Sequence, residues 1–212
     1  DHARNPSGAA LIANRGGPLK GIDLIVEQLR AHPEPHISAS PTEHLSLNYE
    51  MMQLVEAMLE HDESNSYGAA FLHAGLPQQL LHAMRVEPHQ RSTQEVACNC
   101  MEWLLERNPT AVRTFVDAGA VKLLVGAMRA FHADVDPTPW CNSTLGNIYS
   151  VLPSCSKVLE QFVDQQPAVA EELFERGLWS VLLNSEDLLI FHTVGLRLQL
   201  QLSARTDSGI RA

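Results

Sequence analysis

The sequence predicts an all-α protein built from stacked helical repeats, and three observations indicate this class. First, FLHAGLPQQLLHAMR (71–85) returns as FVDAGAVKLLVGAMR (115–129), with seven of fifteen positions identical at a constant offset of 44 residues. Second, apolar residues recur at helical spacing over most of the chain, whereas sustained two-residue alternation appears only in the C-terminal tail. Third, a constant offset of this size is typical of repeat proteins, whose units bury their apolar faces against each other.

The unit that contains the second copy begins with two short helices. PTAVRTFVDAG (109–119) has proline in its first turn and glycine at its C-terminal end, which predicts the first helix. AVKLLVGAMRAF (120–131) is the second helix, because its apolar residues repeat at i, i+3, i+4 and i+7. The stripe that this spacing forms consists of Val121, Leu124, Val125 and Met128.

A longer third helix completes each unit. STQEVACNCMEWLLER (92–107) is predicted to begin with Ser92 or Thr93 as its N-cap. Its buried stripe is predicted to be Ala97, Cys100, Met101 and Leu104. The 44-residue shift carries this helix onto PWCNSTLGNIYSVL (139–152), and the prolines at 109 and 153 follow the two copies at the same relative place.

Two weaker copies flank the central pair. Upstream, GGPLKGIDLIVEQLR (16–30) and LNYEMMQLVEAMLEH (47–61) are predicted helices, and the stripe of the first is Ile22, Ile25, Val26 and Leu29. Downstream, an extended first helix interrupted at Pro167 is followed by ERGLWSVLLNS (175–185) and by a final helix in DLLIFHTVGLRLQLQL (187–202). The predicted repeat domain, 15–205, therefore has units 15–61, 67–107, 109–152 and 153–203, a polar inserted loop at 31–44, and tails at 1–14 and 206–212.

These motifs resemble the armadillo repeat. The resemblance rests on GAVKLLVGAMRAF followed by a third helix of the form A-x-x-C-M-x-W-L or C-x-x-T-L-G-N-I, and it is strongest over 67–152. It implies a right-handed α-solenoid of about four three-helix repeats with degenerate terminal repeats. A HEAT-like or other irregular helical array is the alternative that the residues leave open.

Composition and charge exclude several classes of function. A formal net charge of −10 and a pI near 5.4 argue against nucleic-acid binding, which requires a basic surface. No apolar run approaches the roughly 20 residues of a membrane-spanning helix, so no membrane insertion is expected. The four cysteines form no C-x-x-C and no signal-peptide pattern is present, so an intracellular location is predicted, cytoplasmic or in an organellar matrix rather than secreted.

The sequence contains no convincing catalytic or metal-binding constellation. Ser154 and Lys157 fit the S-x-x-K pattern of penicillin-recognising serine enzymes, but the companion motifs are missing and Ser154 reads better as a helix cap. The ten histidines follow no metal-ligand spacing, and H-E-x-x-H does not occur. We therefore expect no enzymatic activity, no cofactor and no metal site.

The armadillo resemblance implies a concave groove lined by the third helices. The side chains expected there are Glu95, Asn99, Glu102, Trp103 and Glu106 in one unit and Ser143, Asn147 and Ser150 in the next. Asn147 matches the family's groove asparagine, whereas Trp103 stands at the equivalent position of the other unit. The paired Trp and Asn arrays with which nuclear-import adaptors bind basic peptides are therefore absent. Trp103 is either a groove anchor for a partner or a cover over the joint between repeats.

The predicted function is a non-enzymatic scaffold that binds partner protein through its groove or repeat ends, as a subunit of a larger hetero-complex. The three glutamates of the first groove segment suggest a partner with basic segments. An apolar run near one end, a second expected contact, consists of Leu188, Leu189, Ile190 and Phe191. The alternative is a regulatory factor of the nucleotide-exchange type that acts on a chaperone or GTPase.

Overall fold

The computed structural model describes residues 18–31, 46–131, 151–166 and 168–178. Helices account for 86% of these residues and no strand occurs among them, so the predicted all-α class is confirmed. The chain divides into two compact units, Asp1–Ala111 and Val112–Ala212. The predicted inserted loop beyond Ala31, most of the predicted helix at 139–152, and the predicted final helices beyond Leu178 lie outside the described residues.

The described part of the first unit contains five α-helices and a short 3-10 turn. They are α1 (Pro18–Ala31), α2 (Leu47–Glu60), α3 (Ser66–Ala74), α4 (Leu76–Val86), α5 (Arg91–Arg107) and the 3-10 turn Pro109–Ala111. Helix α1 packs on α3 and also touches α2 and α4, while α4 packs on α5. The most extensive contact in this unit joins the two long helices α2 and α5.

The predicted apolar stripes form the core of this unit. All four stripe residues of α1 and all four of α5 are almost completely buried. Phe71, Leu80 and Leu81 on α3 and α4 are also fully buried and belong to the same core. Because each large apolar side chain contributes about 1.5 to 3 kcal/mol on burial, this spacing accounts for much of the stability of the unit.

The start of α5 differs from the prediction. The helix begins at Arg91 with Gln90 as its N-cap, so the expected cap at Ser92 or Thr93 is wrong. The hydroxyl of Thr93 instead donates a hydrogen bond to the buried carboxylate of Glu87. A buried carboxylate needs several donors, and this requirement outweighs the local preference of threonine for the cap.

Side-chain amides and one carboxylate hold the start of α3. The Asp62 carboxylate accepts hydrogen bonds from the backbone N–H groups of Ser66, Tyr67 and Gly68 at 3.0, 2.7 and 2.9 Å. These are donors of the first helical turn, which have no partner within the helix. Asn65, at the N-cap, exchanges two side-chain hydrogen bonds with Asn108, which follows α5, at 3.0 and 2.9 Å.

The described part of the second unit contains four α-helices. They are α6 (Val112–Asp117), α7 (Ala120–Phe131), α8 (Val151–Gln165) and α9 (Ala168–Glu175). Helix α7 packs most extensively on α8, and α6 and α9 each contact both of them. The rings of Phe115 on α6 and Phe162 on α8 stack with their centroids 6.4 Å apart. The predicted stripe of α7, from Val121 to Met128, is buried in this core.

Proline positions explain the ends of the helices in the second unit. The predicted interruption at Pro167 is confirmed, because α8 ends at Gln165 and α9 begins at Ala168. The expected cap at Ser154 is wrong: α8 includes Val151, so Ser154 lies inside its first turn and Pro153 lies one residue earlier. Proline is tolerated there because a first-turn N–H group has no acceptor within the helix.

Among the described residues, three glycines at helix ends adopt the left-handed conformation. Gly75, Gly119 and Gly177 have φ values of 89°, 86° and 66°. Gly75 separates α3 from α4, and Gly119 separates α6 from α7 at a distance of 44 residues along the chain. Residues with a Cβ atom are strained at these angles, so glycine occupies the turn between the two helices at both Gly75 and Gly119.

Candidate functional site

The predicted groove residues of the first unit lie along one side of α5. Trp103, Asn99 and Glu102 are half-buried and Glu106 is exposed, whereas Glu95 is buried with only 7% of its surface exposed. The other predicted contacts lie outside the described residues: Ser143, Asn147, Ser150, Leu188, Leu189, Ile190 and Phe191. The part of the predicted site that the structure describes is therefore one side of α5.

Helix α2 supplies the second row of this surface. The side-chain amide of Asn99 donates a hydrogen bond to Glu56 Oε1 at 2.9 Å, which joins the two helices at half-buried positions. On α2, the side-chain amide of Gln53 donates to the hydroxyl of Tyr49 one turn earlier. We call this surface the α2–α5 face; its members are Tyr49, Gln53, Glu56, Asn99, Glu102, Trp103 and Glu106.

Glu95 lies beneath the α2–α5 face and has an altered acidity. Burial raises the pKa of its carboxyl group to about 7, with Arg91 opposing the shift and Glu56 adding to it. The pKa of Tyr49 is also raised, first by burial and then by Glu50 and Glu95, while its hydrogen bond with Gln53 acts in the opposite direction. The joint between α2 and α5 therefore contains acidic groups whose ionisation is opposed by burial and by each other.

Trp103 is in contact with a cation of its own helix. The guanidinium carbon of Arg107 lies 5.3 Å from the centroid of the Trp103 ring, within the range of a cation–π interaction. The same guanidinium donates hydrogen bonds to the backbone carbonyls of Leu59 and Glu60, the last two residues of α2. A cation at this place also interacts favourably with the negative end of the α2 dipole. Trp103 is therefore in contact with the Arg107 side chain, which binds the last two carbonyls of α2.

The two helices of this face are predominantly acidic. Helix α2 carries three glutamates and no lysine or arginine, and α5 carries three glutamates with arginines only at its first and last positions. Glu50, Glu60 and Glu106 are exposed among them. A surface of this sign favours the approach of a cationic partner, and the attraction weakens as the salt concentration rises.

Sequence reasoning identified the α5 side of this face but missed the α2 side. Tyr49, Gln53, Glu56 and Arg107 were not among the predicted site residues. One signal for Glu56 was available in the sequence: it precedes Asn99 by 43 residues, close to the repeat offset, so adjacent long helices would place the two near each other. Nothing in the local sequence indicated that Glu95 would be buried rather than exposed.

Other candidate chemistry finds no support among the described residues. Within them, no group of three or more His, Cys, Asp or Glu side chains is arranged to hold a metal ion. Ser154 is half-buried and Lys157 exposed on α8, whereas the buried cysteines Cys98, Cys100 and Cys155 occupy core positions. None of the helices in the described ranges combines the length and the apolar character needed to cross a bilayer.

A comparison with protein-family models, with curated proteins and with solved structures gives no match to this chain.

Proposed function

We propose that the chain is a non-enzymatic interaction module: an armadillo-like, right-handed helical solenoid of about four units that binds a partner protein. The α2–α5 face is the part of its groove that the described residues contain. The module acts inside the cell as a subunit of a larger complex, and the partner segment that lies on this face carries basic residues. The main support for the proposal is the extensive packing of α2 against α5, which places acidic and half-buried side chains of both helices along one surface.

The pattern of tertiary hydrogen bonds supports a repeat architecture. In the first unit, side-chain hydrogen bonds between α2 and the α4–α5 segment, and between α3 and the end of α5, join residues 39 to 48 apart in sequence. In the second unit, Arg129 donates to the carbonyl of Arg176, 47 residues later. Contacts limited to about one repeat length are characteristic of solenoids, in which each unit touches only its neighbours.

The left-handed glycines support the same architecture. Gly75 and Gly119 occupy the same position in the two copies of the repeated segment, and Gly177 lies in the downstream copy ERGLWSVLLNS (175–185). A backbone conformation that recurs with the sequence repeat argues that the units share one fold as well as one pattern.

The composition of the α2–α5 face supports protein binding. A half-buried tryptophan, polar amides and carboxylates combine a large apolar contact with directional hydrogen bonding, as interface hot spots do. Asn99 and Gln53 each donate one side-chain hydrogen bond on this face. A primary amide has two N–H donors and one acceptor oxygen, so both side chains have further groups with which to bind a partner.

The proposal is tested by affinity capture from an extract of the source cells with three proteins. These are the wild type, a face variant (Glu102→Gln, Trp103→Ala, Glu106→Gln) and a matched control (Glu171→Gln, Glu175→Gln) that removes two exposed or half-exposed charges from α9. We expect a defined set of proteins to be held by the wild type and the control, and to be reduced at least about tenfold with the face variant, which corresponds to about 1.4 kcal/mol.

Two further measurements make the outcome decisive. Circular dichroism must match between the variants. The melting temperature of the face variant must fall by no more than about 2 to 4 °C, because the loss of the Trp103–Arg107 contact costs about 0.5 to 1 kcal/mol at an exposed site. A photo-reactive residue placed at Glu106 is expected to crosslink the captured proteins, and the same residue at the exposed Lys122 on α7 is not. Retention of the same set by the face variant would show that binding lies elsewhere, and capture of nothing by the wild type would contradict the scaffold function.

A further inference from the structure

The contact between α2 and α5 contains a carboxyl group in an unfavourable place for a charge. Glu95 is a buried residue, with 7% of its surface exposed. A carboxylate in such a place is less well hydrated than in water, so burial favours the neutral acid. Arg91, an exposed residue one turn earlier on the same helix, opposes this effect.

Helix α2, which packs on α5, brings further acidic groups to this carboxyl. From α2, Glu56 and Tyr49 act on Glu95 electrostatically. The Glu56 carboxylate accepts the hydrogen bond from Asn99. Of the other helices in contact with α5, α4 carries His82 and Arg85 as titratable side chains and α3 carries Tyr67 and His73. Ionisation of Glu95 therefore places two negative charges at one joint.

We propose that the α2–α5 contact is a proton-sensitive joint, in which the neutral carboxyl group of Glu95 permits close packing and its ionisation loosens α5 from α2. The device operates over the range between the pKa of an exposed glutamate and the value of about 7 that burial imposes on Glu95. It does not rest on the proposed function, since it concerns the stability of a contact within the first unit.

The sign of the effect follows from proton linkage. The folded state binds the Glu95 proton more tightly than the unfolded or opened state, so the packed joint is favoured at low pH and loses stability as the pH rises through the raised pKa. With a folded pKa near 7, the population of the opened joint increases about tenfold between pH 6 and pH 8. Most carboxyl groups have a lower pKa in the folded state, so they increase the stability as the pH rises. A loss of stability with rising pH therefore distinguishes Glu95 from them.

Cys100 provides a probe of the opened joint. Its thiol is fully buried five residues after Glu95 and donates a hydrogen bond to the carbonyl of Met52 on α2 at 3.4 Å. Burial and Glu56 raise the pKa of this thiol, so it reacts only when the two helices separate. Cys155 is buried on α8 in the second unit and serves as the internal reference, because both thiols experience the same reagent and the same bulk pH.

The first test is a carbon-13 NMR titration of the glutamate carboxyl groups in the intact chain, with the Glu95 signal assigned by its loss in Glu95→Gln. We expect a Glu95 midpoint near 7, well above the value of about 4.3 that a glutamate has in a model peptide. Glu56→Gln is expected to lower the Glu95 midpoint and Arg91→Gln to raise it. A Glu95 midpoint below about 5 would overturn the proposal.

The second test follows alkylation of Cys100 relative to Cys155 by mass spectrometry between pH 6 and pH 8. The ratio is expected to rise about tenfold in the wild type and in the control Glu171→Gln, and to stay constant in Glu95→Gln. Because glutamine has the shape of the neutral acid, this variant keeps the packed joint. An equal rise in Glu95→Gln, or no rise in the wild type, would show that Glu95 does not control the contact.

Discussion

The hydrogen-bond network around Glu87 leads to the most specific stability prediction. The Glu87 carboxylate is 3% exposed and accepts hydrogen bonds from the Ser46 hydroxyl at 2.8 Å, from the Asn48 amide at 3.0 Å and from the Thr93 hydroxyl. It therefore joins the start of α2 to the α4–α5 turn. Replacing Glu87 by Gln keeps the shape but turns one acceptor oxygen into a donor, which opposes the two hydroxyl donors on that oxygen.

The expected cost follows from the number of hydrogen bonds affected. Hydrogen bonds to a charged group contribute about 1.5 to 3 kcal/mol each, and rotation of the two hydroxyls recovers part of this. We expect Glu87→Gln to lower the free energy of unfolding by about 2 to 4 kcal/mol, measured by urea denaturation. With a slope near 2 kcal/mol per molar urea, the midpoint falls by about 1 to 2 M.

A matched control and a local probe make this prediction refutable. Glu63→Gln changes an exposed glutamate near the end of α2 and is expected to alter the stability by less than about 0.5 kcal/mol. In Glu87→Gln, hydrogen exchange of the first amides of α2 is expected to accelerate more than that of α7. If the two variants are equally stable, the network does not contribute the energy assigned to it here.

Four further predictions concern both units. Asp62→Ala removes the acceptor of three first-turn N–H groups of α3 and is expected to cost about 1 to 2 kcal/mol, with faster exchange of the Tyr67 and Gly68 amides. Gly68→Ala places a Cβ atom 2.5 Å from Asn65 Oδ1, so it is expected to destabilise the wild type by about 1 kcal/mol and to cost much less in an Asn65→Gly background, as a double-mutant cycle would measure. Phe162→Ala removes a fully buried ring that stacks on Phe115 and is expected to cost about 3 to 5 kcal/mol in thermal unfolding. Between pH 5 and pH 8 the wild type is expected to lose about 1 to 3 kcal/mol through Glu95, since the folded state holds that proton more tightly, and Glu95→Gln removes this slope.

The helices could be predicted well because their signals are local. The stripe spacing of α1, α5 and α7 depends on residues within two turns of each other, and the left-handed glycines mark ends of α3, α4, α6, α7 and α9. Errors arose where a distant group competed with a local preference. Thr93 was expected to cap α5 because threonine favours that position, but the carboxylate of Glu87, which closes α4, bonds its hydroxyl instead.

The candidate site could be predicted only on one of its two helices. Helical periodicity places Asn99 and Trp103 on the same side of α5, and the structure agrees with that arrangement. The partner residues on α2 depend on how far one helix slides and rotates against the other, which side-chain packing over the entire contact determines. A rotation of α5 by one residue would expose Glu95 and bury a different side chain.

The amino-acid sequence by itself determined that this protein is helical, where most of its helices lie and which of their faces are apolar, because these properties follow from spacing within single helices. Only the tertiary structure decided that Glu95 is buried near Glu56 and that Glu87 accepts hydrogen bonds from two other segments. It also decided that Arg107 contacts the Trp103 ring and donates hydrogen bonds to the last carbonyls of α2. Each of these contacts joins different elements of the fold, so its geometry and its energy exist only after the helices have packed.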